Sequence, residues 1–148
     1  MTILFAKQAL LPSGWADSVR LEIVDGRVGS VTKDAVAAAG DERHAVLIPG
    51  MPNLHSHAFQ RGMAGLAEVR GNTADSFWSW REVMYRFALS MAPEQAEAIA
   101  AQLYVEMLEA GFTRVGEFHY LHHDRDGQPY ANLAEMAERI VAAARMSG

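Results

Sequence analysis

No cysteine stands among the 148 residues. That excludes a disulfide framework and any thiolate metal site, so a metal ion could be held only by His, Asp or Glu. Long apolar runs are missing too. No window approaches the ~18 consecutive apolar residues of a membrane span, and no membrane partner is expected. The opening stretch MTILFAKQALLPSGW is apolar for only a few residues before Lys7, too short and wrongly flanked for a secretory signal. Basic clusters are lacking as well: Lys and Arg number 13 against 18 Asp and Glu, for a formal net charge of -5. Nucleic acid is therefore a poor candidate partner. With 50% hydrophobic and 21% charged residues the chain can build an ordinary core. These absences together lead to the expectation of a soluble, cytoplasmic protein.

What is present changes character near Ile48. Ile3 to Leu10 is an apolar-rich run closed by Pro12-Ser13-Gly14. Val19 to Val24 alternates apolar and polar residues, meets Asp25-Gly26, and Arg27 to Val31 resumes; strand, Asp-Gly, strand is a hairpin signal. Lys33 to Arg43, rich in Ala, Gly and charge, reads as a connector. Val46-Leu47-Ile48 reads as a short buried strand leading into PGMPNLHSH. Thr73 to Ser90 is aromatic-rich and expected to be helical, capped by Thr73 or Asp75. A second helix is expected from Pro93 to a stop at Gly111, with Ile99, Leu103 and Met107 as its apolar stripe. A strand, FTRVGEFHY, a loop at Asp124 to Gly127 and a helix over Ala131 to Arg145 complete the pattern. The class is α/β: alternating strands and helices imply a parallel sheet. Two parallel strands cannot close a barrel, for which about 250 residues is typical. The chain is expected to be the N-terminal portion of something larger.

Two of the six histidines, His55 and His57, are spaced i, i+2 after that apolar run and a Pro-Gly break. On a strand this spacing puts both on one face. Imidazoles suit zinc, iron, nickel and similar ions, but a catalytic site usually takes three protein ligands and a water. A bare H-x-H is common by chance; its place at a strand end, where β/α barrels carry their active sites, is what gives it weight. The second cluster, GEFHYLHHD from Gly116 to Asp124, ends the next strand. If that strand stays regular, Glu117 and His119 share one face, Phe118 and Tyr120 the other. A substrate-facing loop and a plain polar turn both accommodate it. Gln60, three residues past His57, could reach the same mouth. Arg70, Arg81 and Arg86 could each bind a carboxylate through a planar fork, Arg81 the better placed beside Trp80. Phe77, Trp78 and Trp80 are most simply packing.

PGMPNLHSHAFQRGMAGLAE resembles the first-strand signature of the amidohydrolase superfamily. With DSFWSWREVMYRFAL and VGEFHYLHHDRDGQPYAN, it closely resembles the formimidoylglutamate deiminases of histidine degradation, over about the first third of such an enzyme. The resemblance implies a β/α (TIM) barrel preceded by strands of a small β-sandwich. Residues 1–45 would belong to the sandwich and residues 46–148 to the first two β/α units. It implies that His55 and His57 are zinc ligands, with a further histidine and an aspartate beyond Gly148, along with the histidine that assists catalysis. Gln60, Arg81 and Tyr120 match substrate-pocket positions, Arg81 as carboxylate partner. No role follows for His119, His122 or His123. The implied reaction is hydrolytic deamination of N-formimidoyl-L-glutamate to N-formyl-L-glutamate and ammonia. The implied partner is a small molecule carrying carboxylates, and a homo-oligomer is expected. Two alternatives stay open: a related deaminase acting on a nucleobase or triazine-like ring, and a truncated, non-catalytic protein.

Overall fold

The computed structural model describes residues 1–67 and 76–148, which divide into two units, Met1–Gly50 and Met51–Gly148. The first is a four-stranded sheet built from β1 (Thr2–Leu11), β2 (Gly14–Val24), β3 (Arg27–Thr32) and β4 (Glu42–Leu47), in the order β3-β2-β1-β4. The β1–β2 and β2–β3 pairs are antiparallel. Asp25 and Gly26, both at positive φ (49° and 72°), turn the β2–β3 hairpin as the Asp-Gly signal requires. β4 returns parallel to β1. The connector that allows this is tied down by Arg20, whose guanidinium donates to both oxygens of Asp41 at 3.0 and 3.1 Å. Asp41 also accepts from the Ala38 amide, and these bonds hold its carboxyl below the usual range. Ala6, Ala9 and Val19 form the buried center of this unit.

Two expectations change here. The connector ends earlier than Arg43, since β4 begins at Glu42. Val46-Leu47-Ile48 does not open the second sheet and is not buried: Val46 and Leu47 end β4, and Val46 and Ile48 are 50% and 57% exposed. The parallel partner β1 captured an apolar run that local pattern alone could not assign.

The second unit carries the β/α alternation. β5 (Met51–Ser56) leads into a 3₁₀ segment (Ala58–Met63); α1 (Phe77–Ala88), α2 (Pro93–Glu109), β6 (Phe112–Glu117) and α3 (Glu135–Ser147) follow. β5 and β6 pair in parallel. Ser76 caps α1, accepting from the Ser79 amide while the Ser79 hydroxyl accepts from the Ser76 amide; the expected caps Thr73 and Asp75 lie outside the described residues, as does Arg70. α2 starts on Pro93, with Gln95 accepting from the Ala92 amide, and ends against Gly111 at φ 88°. Its fully buried stripe is Ala96, Ala100 and Tyr104, one position on from the expected Ile99, Leu103 and Met107, which flank it. Alanines let α3 approach closely, with Ala143 buried on the facing helix. Arg139 of α3 clasps Glu94 and Glu97 of α2 and its own Glu135. α3 begins four residues later than its pattern suggests. Asn132 turns the chain instead, its side chain accepting from the Ala134 amide, and Leu133 is 79% exposed. No helix among the described residues is long and apolar enough to cross a membrane.

Two close contacts seat the strand ends. At Gly116 an added Cβ would lie 3.0 Å from the Leu54 carbonyl oxygen on β5. The 3₁₀ segment is pinned to α2 by Arg61, which donates to both Glu106 oxygens at 2.8 Å, with Gln102 adding a bond. Arg61 first, and Gln102 next, hold the Glu106 carboxyl down to about 2.

The Gly116→Ala variant is expected to lose about 1–3 kcal/mol, the cost of forcing extra volume against an unyielding backbone, read by chemical denaturation. A second expectation concerns pH. Because the folded Glu106 carboxyl titrates below its ordinary value of 4.5, its pair with Arg61 stabilises the fold above that range. Melting curves of the wild type and the Glu106→Gln variant should therefore differ at neutral pH and converge as pH falls toward about 2.

Candidate active site

The C-terminal ends of β5 and β6 lie side by side, and the second unit gathers its polar chemistry there. Ser56 pairs with Glu117, and the Phe118 amide donates to the Ser56 carbonyl at 2.9 Å. His55 is the penultimate residue of β5, and His57 follows its end. As the i, i+2 spacing predicts, their side chains meet: the two Nε2 atoms are 2.8 Å apart, with the rings edge to face.

The orientation of His57 comes from its other nitrogen. Nδ1 lies 2.7 Å from the Phe118 carbonyl oxygen. A carbonyl only accepts, so Nδ1 carries a proton, and the tautomer this selects is the one whose Nε2 can act as a ligand. Metal-bound histidines are commonly held in this way. Two imidazole nitrogens at this separation can both reach one cation at the ~2 Å of a metal–imidazole bond. The donor set thus fits a divalent ion of the imidazole-preferring kind. Among the described residues no third His, Asp or Glu joins them.

Tyr120 closes over His57. Its ring stacks on His57 at 4.5 Å, and its hydroxyl is 3.2 Å from His57 Nε2. The conditional alternation along GEFHY stops at Glu117, where β6 ends. Tyr120 has φ 62°, a left-handed conformation that costs energy for an aromatic residue and is characteristic of functional loops. That turn keeps Phe118 and Tyr120 on the His57 side, their rings 4.9 Å apart. His119 turns the other way against His122, with burial, and then the neighboring His122, lowering its pKa.

A cavity of about 610 Å³ opens beside His57. Gln60 and Tyr120 line it, and α1 adds Arg81 to the lining. The Arg81 guanidinium lies over the Tyr85 ring at 4.8 Å and near Trp78 at 5.8 Å, with a 3.4 Å bond to the Tyr85 hydroxyl. It forms no ion pair with a carboxylate of the described residues. Arg86 lies with Trp78 and Arg81 along a separate outer groove. Among the cavity residues, Tyr85 was given no place by the sequence reading, Phe77 and Trp80 only packing, and His122 and His123 stood in the second cluster without an assigned role. The i, i+4 spacing of Arg81 and Tyr85 on a helix was the available signal for Tyr85.

With this geometry in view, the relationships are direct. Residues 1–45 match the family described as formimidoylglutamate deiminase HutF, N-terminal domain, and residues 46–148 match the amidohydrolase family. The chain is 57% identical over its whole length to a formimidoylglutamate deiminase of Pseudomonas aeruginosa, 33% of which it covers. A solved amidohydrolase from Brucella melitensis superposes over 99% of the chain and 33% of its own length, with TM-score 0.91 and 66% identity. Atrazine chlorohydrolase TrzN from Arthrobacter aurescens, solved with zinc, shares the fold at TM-score 0.68 and 16% identity, over 99% of this chain and 33% of that one. The chain thus spans about a third of the length of these relatives. Its second unit matches from the β5 approach through α3, and the chain belongs to the amidohydrolase family.

Proposed function

We propose that this chain forms the N-terminal part of a metal-dependent deiminase that hydrolyses N-formimidoyl-L-glutamate to N-formyl-L-glutamate and ammonia. The observation that carries the reading is a cavity lined by both a metal-compatible histidine and an arginine that has no carboxylate partner among the described residues. A substrate with an amidine at one end and carboxylates at the other matches those two groups. The name of the Pseudomonas relative supports the same substrate. Zinc, which the TrzN structure holds, is the metal we assign to His55 and His57. When bound, such an ion supplies a water activated near neutral pH and polarises the group under attack.

The residues of this chain bind and orient. Arg81 offers a planar fork to a substrate carboxylate, and its stacking on Tyr85 restricts the guanidinium before substrate arrives. Gln60 presents an amide to the same space. The Tyr120 hydroxyl, within reach of His57 Nε2, is positioned to hydrogen-bond a substrate held beside the histidine pair. Apolar walls from Phe59, Met84 and Leu121 limit water around these groups. A flat nucleobase would use the aromatic wall but leave the Arg81 charge unmatched, which favors the linear dicarboxylate.

The test compares ammonia release from N-formimidoyl-L-glutamate and from guanine by the complete gene product loaded with zinc. Turnover of the first and not the second is expected; the reverse would overturn the substrate assignment, and turnover of neither would overturn the enzymatic reading. Replacing Arg81→Met should raise KM for N-formimidoyl-L-glutamate roughly 10- to 100-fold, the worth of a charged hydrogen bond, with kcat changed much less.

A further inference from the structure

His57 is aimed by the Phe118 carbonyl, but a carbonyl in a loop aims nothing unless the loop itself is held. Three bonds hold it. The first is the Phe118 amide to the Ser56 carbonyl at 2.9 Å. The second is His57 Nδ1 to the Phe118 carbonyl at 2.7 Å. The third comes from a side chain: the Ala58 amide donates to Glu117 Oε1 at 2.6 Å. Ala58 is the first residue of the 3₁₀ segment, so its amide has no partner within that segment. The residue is fully buried, so water cannot substitute. Glu117 therefore completes the ladder past the point where backbone pairing of β5 and β6 stops.

The carboxylate is an expensive choice for that task. Its second oxygen, Oε2, is buried near the Tyr104 hydroxyl, whose pKa is raised by burial first and by the Glu117 carboxylate second. Burying a carboxylate costs solvation energy that an apolar residue at this place would not. Its short bond to Ala58 fixes the backbone immediately after His57.

We infer that Glu117 is a positioning residue for the His55–His57 pair: its side chain clamps Ala58 so that His57 stays locked on Phe118 and both Nε2 atoms converge. This rests on the reading of the two histidines as metal ligands. It acts on the metal only through the histidines and asks for no contact of its own with the ion or the substrate.

The test measures zinc affinity of the complete gene product against a competing chelator, the visible spectrum of its cobalt(II) form, and hydrogen exchange at the Ala58 amide. The Glu117→Ala variant should bind zinc about 10- to 100-fold more weakly, the usual loss when a ligand's supporting bond is removed. Its cobalt spectrum should change and Ala58 should lose protection while its melting remains cooperative. The Glu117→Gln variant, which keeps an oxygen for Ala58, should stay within about threefold of wild type in affinity. A folded Glu117→Ala protein with unaltered affinity and spectrum would overturn the inference. Should that variant fail to fold, Glu117→Gln and Glu117→Asp decide: weakening by Asp alone, whose shorter arm cannot reach, supports the clamp, and any other pairing of results refutes it. Zinc binding to the wild type that is insensitive to His55→Ala and His57→Ala would instead sink the metal-ligand reading itself.

Discussion

The parallel pairing of β5 with β6 is the constraint from which the site follows. The two strands meet so closely that a Cβ on Gly116 would press on the Leu54 carbonyl oxygen at 3.0 Å. Their last rungs run into the loop that carries Phe118. Shift that register by one residue and His57 loses the carbonyl that fixes its tautomer, while Tyr120 loses its place over the ring. The distance between the two histidine nitrogens is thus a consequence of strand pairing, and the i, i+2 spacing only makes it available.

The rest of the second unit holds those strand ends in place. The 3₁₀ segment turns the chain away from β5 and is pinned to α2 by the two-bond pair of Arg61 and Glu106. Exposed ion pairs contribute little individually, but a bidentate arginine gives direction as well as energy. α2 and α3 pack through alanines, with the Arg139 cluster across their rim. Small residues there bring helix backbones close and leave the larger side chains, Phe59, Met63, Met84 and Met91, to fill the space under the cavity.

The cavity wall on α1 shows how polar chemistry can be held by apolar means. Arg81 is exposed on its helix and carries its charge between aromatic faces, with a long bond to a phenol. Cation–π contact steadies a guanidinium without neutralising it, so the charge stays available to an anion. A carboxylate partner would have done the opposite. In the same cavity lining, His57 has its Nδ1 proton committed to a backbone carbonyl, which turns Nε2 toward His55.

Much of this was legible beforehand. The Asp-Gly hairpin, the Pro93 start and Gly111 stop of α2, and the same-face histidines follow from local rules that depend on few neighbors. Turn chemistry, capping and side-chain alternation are properties of a few consecutive residues, and the sequence by itself determined them. The fate of Val46-Leu47-Ile48 was not local: parallel pairing with β1 decided that this run closes one sheet instead of opening the next. Nor could spacing show that the β6 strand breaks at Glu117, that Tyr120 turns left-handed over His57, or that Glu117 reaches across to Ala58. Those features join residues about sixty positions apart. Only the tertiary structure decided them, because a hydrogen bond between distant segments depends on where both backbones have already been placed.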